Sequence, residues 1–358
     1  MSDGLKSTLN ELKTSSRRKW AMRHRRLPKF TTTDATAPAP TLYYFAPPEP
    51  TASGGVRNMY RHVDELNSLG FRAAVMHPKA GFRCTWFAND TVVVGADATT
   101  VHRNDILVVP EFYGPYLSTL PAGVNVVIFN QKAYDTFFFT PYASSPPGAP
   151  YAQLAGLRGL LTVSQDNAEL LAYAFPNLDV KVARLVLDPT VFHPGSGRRP
   201  RRIAFTAHRR AAELEQLLHM LRSRGALAGW ELVPISGRTE QQTAEIMRSA
   251  PLFLSFSDRE GFGLPPAEAM ASGCYVIGFT GLAGREFFDP DHCTAVPDSD
   301  LLAFGRAVER ITAAYEADPD AIAKLGQLAS ERVLARYTTA GLREDLEAFY
   351  RPLTSAVA

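Results

Sequence analysis

The feature that most narrows what this chain can fold into is a rhythm: short apolar runs alternate with amphipathic stretches from Leu42 onward, and the alternation restarts after Pro200. In the first half, Leu42–Phe45, Phe71–Met76, Thr91–Val94, Ile106–Val109, Val124–Phe129 and Leu160–Val163 read as strands. Val56, Met59, Val63, Leu66 and Leu69 fall at helical spacing, and Asn167–Ala174 predicts a further helix. Strand and helix in alternation imply a parallel sheet covered on both faces. A Pro/Gly/Arg-rich boundary, His193–Pro200, then interrupts the pattern. Beyond it, the strands Arg202–Phe205, Trp230–Ile235, Leu252–Phe256 and Cys274–Phe279 alternate with the helices Ala211–Arg222, Glu240–Ser249 and Pro266–Ser272. Leu301–Ala314, Pro319–Tyr337 and Thr339–Tyr350 are also helical. The expected fold class is therefore α/β, with two units joined near residue 195 and a cleft between them, a usual place for ligands.

A length of 358 residues suits two domains of ordinary size. The divisions expected are 1–40, a basic tail and linker; 41–193, the N-terminal domain; 194–338, the C-terminal domain; and 339–358, a final helix. No apolar run is long enough to span a bilayer, and no apolar stretch follows the first basic residues as a secretory signal would require. The three cysteines are widely spaced and form no C-x-x-C, which argues against a disulfide framework or a structural zinc site and fits a reducing, cytoplasmic setting. Charge is uneven. Residues 1–30 hold nine basic side chains against Asp3 and Glu11, yet the whole chain is only +2, so the body is net acidic. With Leu5, Leu9, Leu12 and Trp20 on one side of a short helix, the basic end reads either as a solvated tail or as an arm touching a partner or anionic lipid at the inner membrane face. Nucleic acid is disfavoured as a partner, because the body after residue 30 offers no basic groove.

The chemistry concentrates between Leu252 and Phe279. A buried strand there runs into a loop in which Gly261 and Gly263 let backbone N–H groups approach a ligand. Pro265 and Pro266 suit the first turn of the following helix, whose N-terminus favours an anion such as a diphosphate. Glu260 and Glu268 flank this turn, and carboxylates accept hydrogen bonds from sugar and ribose hydroxyls. The string Glu260-Gly-Phe-Gly-Leu-Pro-Pro-Ala-Glu268, followed by Ala-Met-Ala-Ser-Gly-Cys, resembles the E-x7-E motif of the GT-B glycosyltransferases, specifically the retaining "family 4" group. The resemblance covers roughly residues 42–350. It implies that Glu268 binds the donor ribose, that Glu260 holds the donor sugar, and that Gly261, Phe262, Gly263 and Leu264 line the donor site. It further implies a GT-B fold of two Rossmann-like domains facing across a cleft, with an N-terminal acceptor domain, a C-terminal nucleotide-sugar domain, and a last helix that returns to the N-domain.

Other candidates follow the same frame. Ser53-Gly54-Gly55-Val56, after the first strand, resembles the family's glycine loop, with Gly54 and Gly55 near the donor diphosphate. Arg209 and Arg210 follow the strand Arg202–Phe205, where the resemblance implies basic residues that neutralise the charge building on a departing phosphate. Glu111 stands where relatives carry a histidine near the reacting sugar, and Asn130 and Gln131 follow a buried strand, facing the same cleft. Asp289/Asp291 and Asp298/Asp300 have D-x-D spacing but sit in turn-rich sequence, so no metal ligands are assigned. No G-x-S-x-G occurs. The resemblance thus implies transfer of a sugar from a UDP- or GDP-linked donor to a hydroxyl acceptor, with retention and without a divalent cation or other cofactor. Two alternatives stay open: a nucleotide-sugar-binding protein on an inactive fold, and a GT-B enzyme of another reaction type.

Overall fold

The computed structural model describes residue 22 and residues 25–357. The stretch carrying Leu5, Leu9, Leu12 and Trp20 lies outside them. In the N-terminal half the strands are β1 (Thr31–Thr32), β2 (Thr41–Phe45), β3 (Arg72–His77), β4 (Val93–Gly95), β5 (Thr100–Val101), β6 (Ile106–Pro110), β7 (Asn125–Asn130), β8 (Leu157–Thr162) and β9 (Val180–Val182). Seven of them form a sheet of order β4-β3-β2-β6-β7-β8-β9, parallel throughout. The C-terminal half has β10 (Arg202–Thr206), β11 (Glu231–Ile235), β12 (Leu252–Glu260), β13 (Tyr275–Leu282) and β14 (Cys293–Val296) in a second parallel sheet, β11-β10-β12-β13-β14. The helices are α1 (Gly54–Ser68), α2 (Gln165–Ala174), α3 (Ala211–Ser223), α4 (Glu240–Ser249), α5 (Leu264–Ala271), α6 (Leu301–Ala317), α7 (Pro319–Arg336) and α8 (Thr339–Val357).

Burial on both faces explains the continuous apolar runs. Every residue of β6 and β7 is buried, so these strands need no polar alternation. Helix α1 buries Val56, Met59, Val63 and Leu66 of the five residues at helical spacing, whereas Leu69 is half-buried at its C-cap. Helix α8 lies against the first sheet unit. The Tyr44 hydroxyl donates to the Tyr350 hydroxyl at 2.8 Å, Arg343 pairs with Glu65, and a Cβ at Gly159 would come within 2.8 Å of the Phe349 ring.

Three sequence expectations change. Strand β12 runs on to Glu260 past an irregularity between Ser257 and Glu260, so Glu260 ends a strand rather than standing in a loop. Helix α5 starts at Leu264, two residues before Pro266. Part of the stretch read as linker is tied down: β1 pairs with β5, and the Asn104 side chain bonds both the N–H and the carbonyl of Ala37. The edge strands β9 and β14 had no sequence expectation, because three or four residues with a polar centre carry almost no pattern.

The strand order opens a crevice in each sheet unit. In the first sheet the chain steps from β2 to β3 on one side and back to β6 on the other; in the second it steps from β10 to β11 and back to β12. At such a switch point the loops leaving the carboxyl ends diverge and open a crevice. The two crevices face each other.

Candidate active site

A cleft of about 610 Å³ lies between the two sheet units, lined by Gly54, Gly55, Arg57, Glu111, Gln131 and Lys132 on one side and by His208, Arg209, Arg238, Glu240, Glu260, Gly261, Phe262, Gly263, Leu264 and Glu268 on the other. Each group is there for a local reason. The Ser53 hydroxyl accepts from the Val56 N–H and starts α1 directly after the β2 turn. Gly263 caps α5 at φ 99°, a left-handed backbone that glycine tolerates at no steric cost. The Phe262 ring is buried against Phe287 and Tyr337, which leaves the backbone of that loop to the cleft.

The loop Glu260–Gly263 also touches the opposite unit. A Cβ built on Gly261 would lie 1.6 Å from the Gln131 carbonyl oxygen, so glycine is needed for the closed approach of one unit to the other. Gln131 in turn holds the glycine loop. Its side-chain N–H donates to the Gly55 carbonyl at 3.1 Å, and its side-chain oxygen accepts from Asn58 at 3.1 Å.

The charges of the cleft are paired, one pair within a unit and the others across it. Arg209 bonds the Glu260 carboxylate within the C-terminal unit. Arg57, from α1, bonds Glu268 at 2.6 Å and also Glu240, both on the opposite unit. Burial pushes the Glu268 carboxyl upward, Arg57 opposes that shift, and Glu240 adds to it. Burial lowers the pKa of His208, with Arg209 acting the same way and Glu260 against it. Glu111, directly after β6, accepts from the Gln131 backbone N–H at 2.9 Å. Burial raises its carboxyl to about 7, and the Gln131 N–H counteracts this in part.

Of the residues expected at the site, the structure brings together Gly54, Gly55, Glu111, Gln131, Arg209, Glu260, Gly261, Phe262, Gly263, Leu264 and Glu268. It does not bring Arg210 or Asn130 to the cleft. Arg210 precedes α3, stacks 4.7 Å above the Phe279 ring and bonds Asp258 and Asp298 at 3.0 and 2.6 Å, so its charge is spent away from the cleft. Asn130 is fully buried and bonds Thr136 and Tyr151, bracing the loop after β7. Asp300 caps α6, Asp289 accepts from the Asp291 N–H, and among the described residues no group of three His, Cys, Asp or Glu is placed to hold a metal.

Arg57, Arg238 and Glu240 line the cleft with no sequence expectation. A signal for Arg57 existed. It sits near the N-terminus of α1, where the helix dipole disfavours a cation, so a compensating anion from elsewhere was implied.

Residues 155–314 match the family model described as glycosyl transferases group 1. Similar solved structures include sucrose-phosphate synthase from Thermosynechococcus elongatus, with a TM-score of 0.63, 14% identity, and coverage of 88% of this chain and 100% of that one. The fold is that of a GT-B glycosyltransferase. Another GT-B neighbour is HepE from Anabaena, solved in complex with UDP and glucose, with a TM-score of 0.58, 11% identity, and coverage of 87% and 99% of the two chains. At these identities the likeness concerns the fold. In sequence, this GT-B chain is 27% identical over 249 residues to an alpha-1,6-glucosyltransferase of Actinobacillus pleuropneumoniae serotype 7 (strain AP76), covering 67% of this chain and 72% of that protein. Among the described residues of the GT-B chain, no helix is long and apolar enough to cross a membrane.

Glu111 gives this cleft a pH signature. Its folded pKa of about 7 lies above the ordinary carboxylate value, so the folded state holds a proton that the unfolded state releases between the two values. Its contribution is fully present below the unfolded pKa and is lost as pH rises through about 7. Glu111→Gln mimics the protonated form. The variant is expected to unfold at a higher temperature than wild type at pH 8, and close to wild type at pH 4. Parallel melting curves across that range would refute this if the difference were constant.

Proposed function

We propose that the cleft binds a nucleoside-diphosphate sugar and transfers its glycosyl group to a hydroxyl acceptor with retention of configuration. The observation that carries this is the convergence of Glu260, Glu268 and the Gly261–Gly263 backbone with Arg209 and the Gly54–Gly55 loop on one cleft at two sheet switch points. In this reading Glu268 accepts from the donor ribose and the loop N–H groups meet the sugar and diphosphate. Glu260 holds the sugar, and Arg209, freed from Glu260, takes up the charge that grows on the departing phosphate. No divalent cation is assigned a role, because a guanidinium beside the phosphates supplies the counter-charge. On a retaining course the departing phosphate accepts the proton of the incoming hydroxyl on the same face of the sugar. Glu111, on the N-terminal unit, is the side chain proposed to orient that hydroxyl. Glucose is the proposed sugar, in line with the glucosyltransferase relative and the UDP and glucose complex among the fold neighbours.

Glu268→Ala is the direct test of the donor site. Loss of a charged acceptor for two hydroxyls is expected to weaken nucleotide-sugar binding by about 10- to 100-fold. Calorimetry with UDP-glucose, ADP-glucose and GDP-glucose reads this, and unchanged affinity in the variant would remove Glu268 from the site.

A further inference from the structure

Resting on the donor reading above, we propose that Arg57 is a positioning residue for donor recognition: it reaches from the N-terminal unit to hold the Glu268 carboxylate ionised and oriented for the ribose diol of a nucleoside diphosphate sugar.

Glu240 opens α4, Glu268 lies on α5, and both carboxylates face the cleft beside one guanidinium from α1. All three side chains are largely buried, at 19%, 9% and 14% exposure for Glu240, Glu268 and Arg57. Two carboxylates that share one buried cation cannot both stay ionised if the cation is removed, because each penalises the charge of the other in a medium that already penalises both. The charged groups acting on Glu268 are Arg57 and Arg61 from α1 and Glu240 from α4. Arg61 cannot stand in for Arg57, since its guanidinium is turned to the Val186 carbonyl at 2.8 Å.

The consequence for a ligand is geometric. Arg57 engages Oε1 of Glu268. A carboxylate has two oxygens and about four lone-pair sites, so the pair leaves capacity for two hydroxyl donors. A protonated Glu268 would turn one acceptor into a donor and could no longer receive both hydroxyls of a ribose. Arg57 therefore acts through Glu268, and because it belongs to the other unit, the ribose site is complete only when the units are closed on each other. Glu240 fixes the second arm of the guanidinium, so the fork cannot rotate away from Glu268.

The experiment measures the affinity of UDP-glucose, ADP-glucose and GDP-glucose for the full chain between pH 6 and 8.5, in wild type, R57M, R57K and R57M/E240Q. These donors carry no phosphate proton that titrates in this range. Relative to wild type, R57M is expected to bind about tenfold more weakly at pH 6 than at pH 8.5. R57M/E240Q is expected to lose most of that pH dependence, because one of the two competing charges is gone. R57K keeps the charge without the fork and is expected to bind weakly but with the wild-type pH profile; it also serves if R57M does not fold, which melting curves will show. Wild-type affinity and profile in R57M overturn the role of Arg57. So does a loss equal at every pH that E240Q does not relieve, which would mark a packing role. If wild type binds none of the three donors, the donor reading falls, and this proposal with it.

Discussion

Glu260→Ala is expected to lower turnover by about 100-fold while leaving donor affinity within a few-fold of wild type. The carboxylate is 11% exposed, ends β12 and is held by Arg209. Gly281 makes room for it: a Cβ there would lie 3.0 Å from the Glu260 side chain. Its removal leaves Glu268 and Arg57 in place, so on the proposed reading the nucleoside end of the donor keeps its contacts. It also frees Arg209, which can then only gain attraction for phosphate. What is lost is the group proposed to fix the sugar relative to the bond that breaks, and misplacement there costs rate more than affinity. Initial rates of donor consumption, with and without added acceptor, set against calorimetric affinities, separate the two. An unchanged turnover would remove Glu260 from the reacting centre. A collapse of affinity at constant turnover would move it to the nucleoside end.

Gly261→Ala is expected to be as damaging for a different reason. The added methyl would meet the Gln131 carbonyl oxygen at 1.6 Å and the carbonyl carbon at 2.7 Å. Both are backbone atoms that cannot swing aside, so one unit must move away from the other. Displacement of about 1 Å at a catalytic cleft commonly costs about 100-fold in rate. Every group paired across the cleft shifts with it, Arg57 to Glu268 included. The expected result is a loss in kcat/KM of that order together with a lowered melting temperature, since overpacking costs about 1–3 kcal/mol. Wild-type kinetics in this variant would show that the contact between Gly261 and Gln131 is dispensable for the reaction. The sequence presents this glycine as an opening for a ligand, whereas in the structure its missing side chain makes room for the chain's own backbone.

The legible part of this protein is local. Strand and helix identities followed from periodicity because parallel strands buried on both faces leave apolar runs such as Ile106–Pro110, and amphipathic helices leave a stripe such as that of α1. Glu260, Glu268 and the glycines between them could be read together because they lie within one strand–turn–helix, where sequence neighbours are spatial neighbours. Arg210 and Asn130 were legible as residues that follow strands, and their positions in the chain are as expected. Their side-chain directions were not. Arg210 turns to Asp258 and Asp298, the latter from a distant turn, and Asn130 turns inward to Tyr151.

By itself the sequence determined two α/β units, a carboxylate–glycine–proline turn suited to an anionic, hydroxyl-rich ligand, and a basic end distinct from an acidic body. Only the tertiary structure decided which charges meet. Arg57 and Glu268 stand 211 residues apart, and Arg209 and Glu260 stand 51 apart. Periodicity reports which face of an element is buried, but a charge finds its partner through the order of strands and the closure of one sheet unit on the other. Those depend on packing of the whole chain, and no local window contains them.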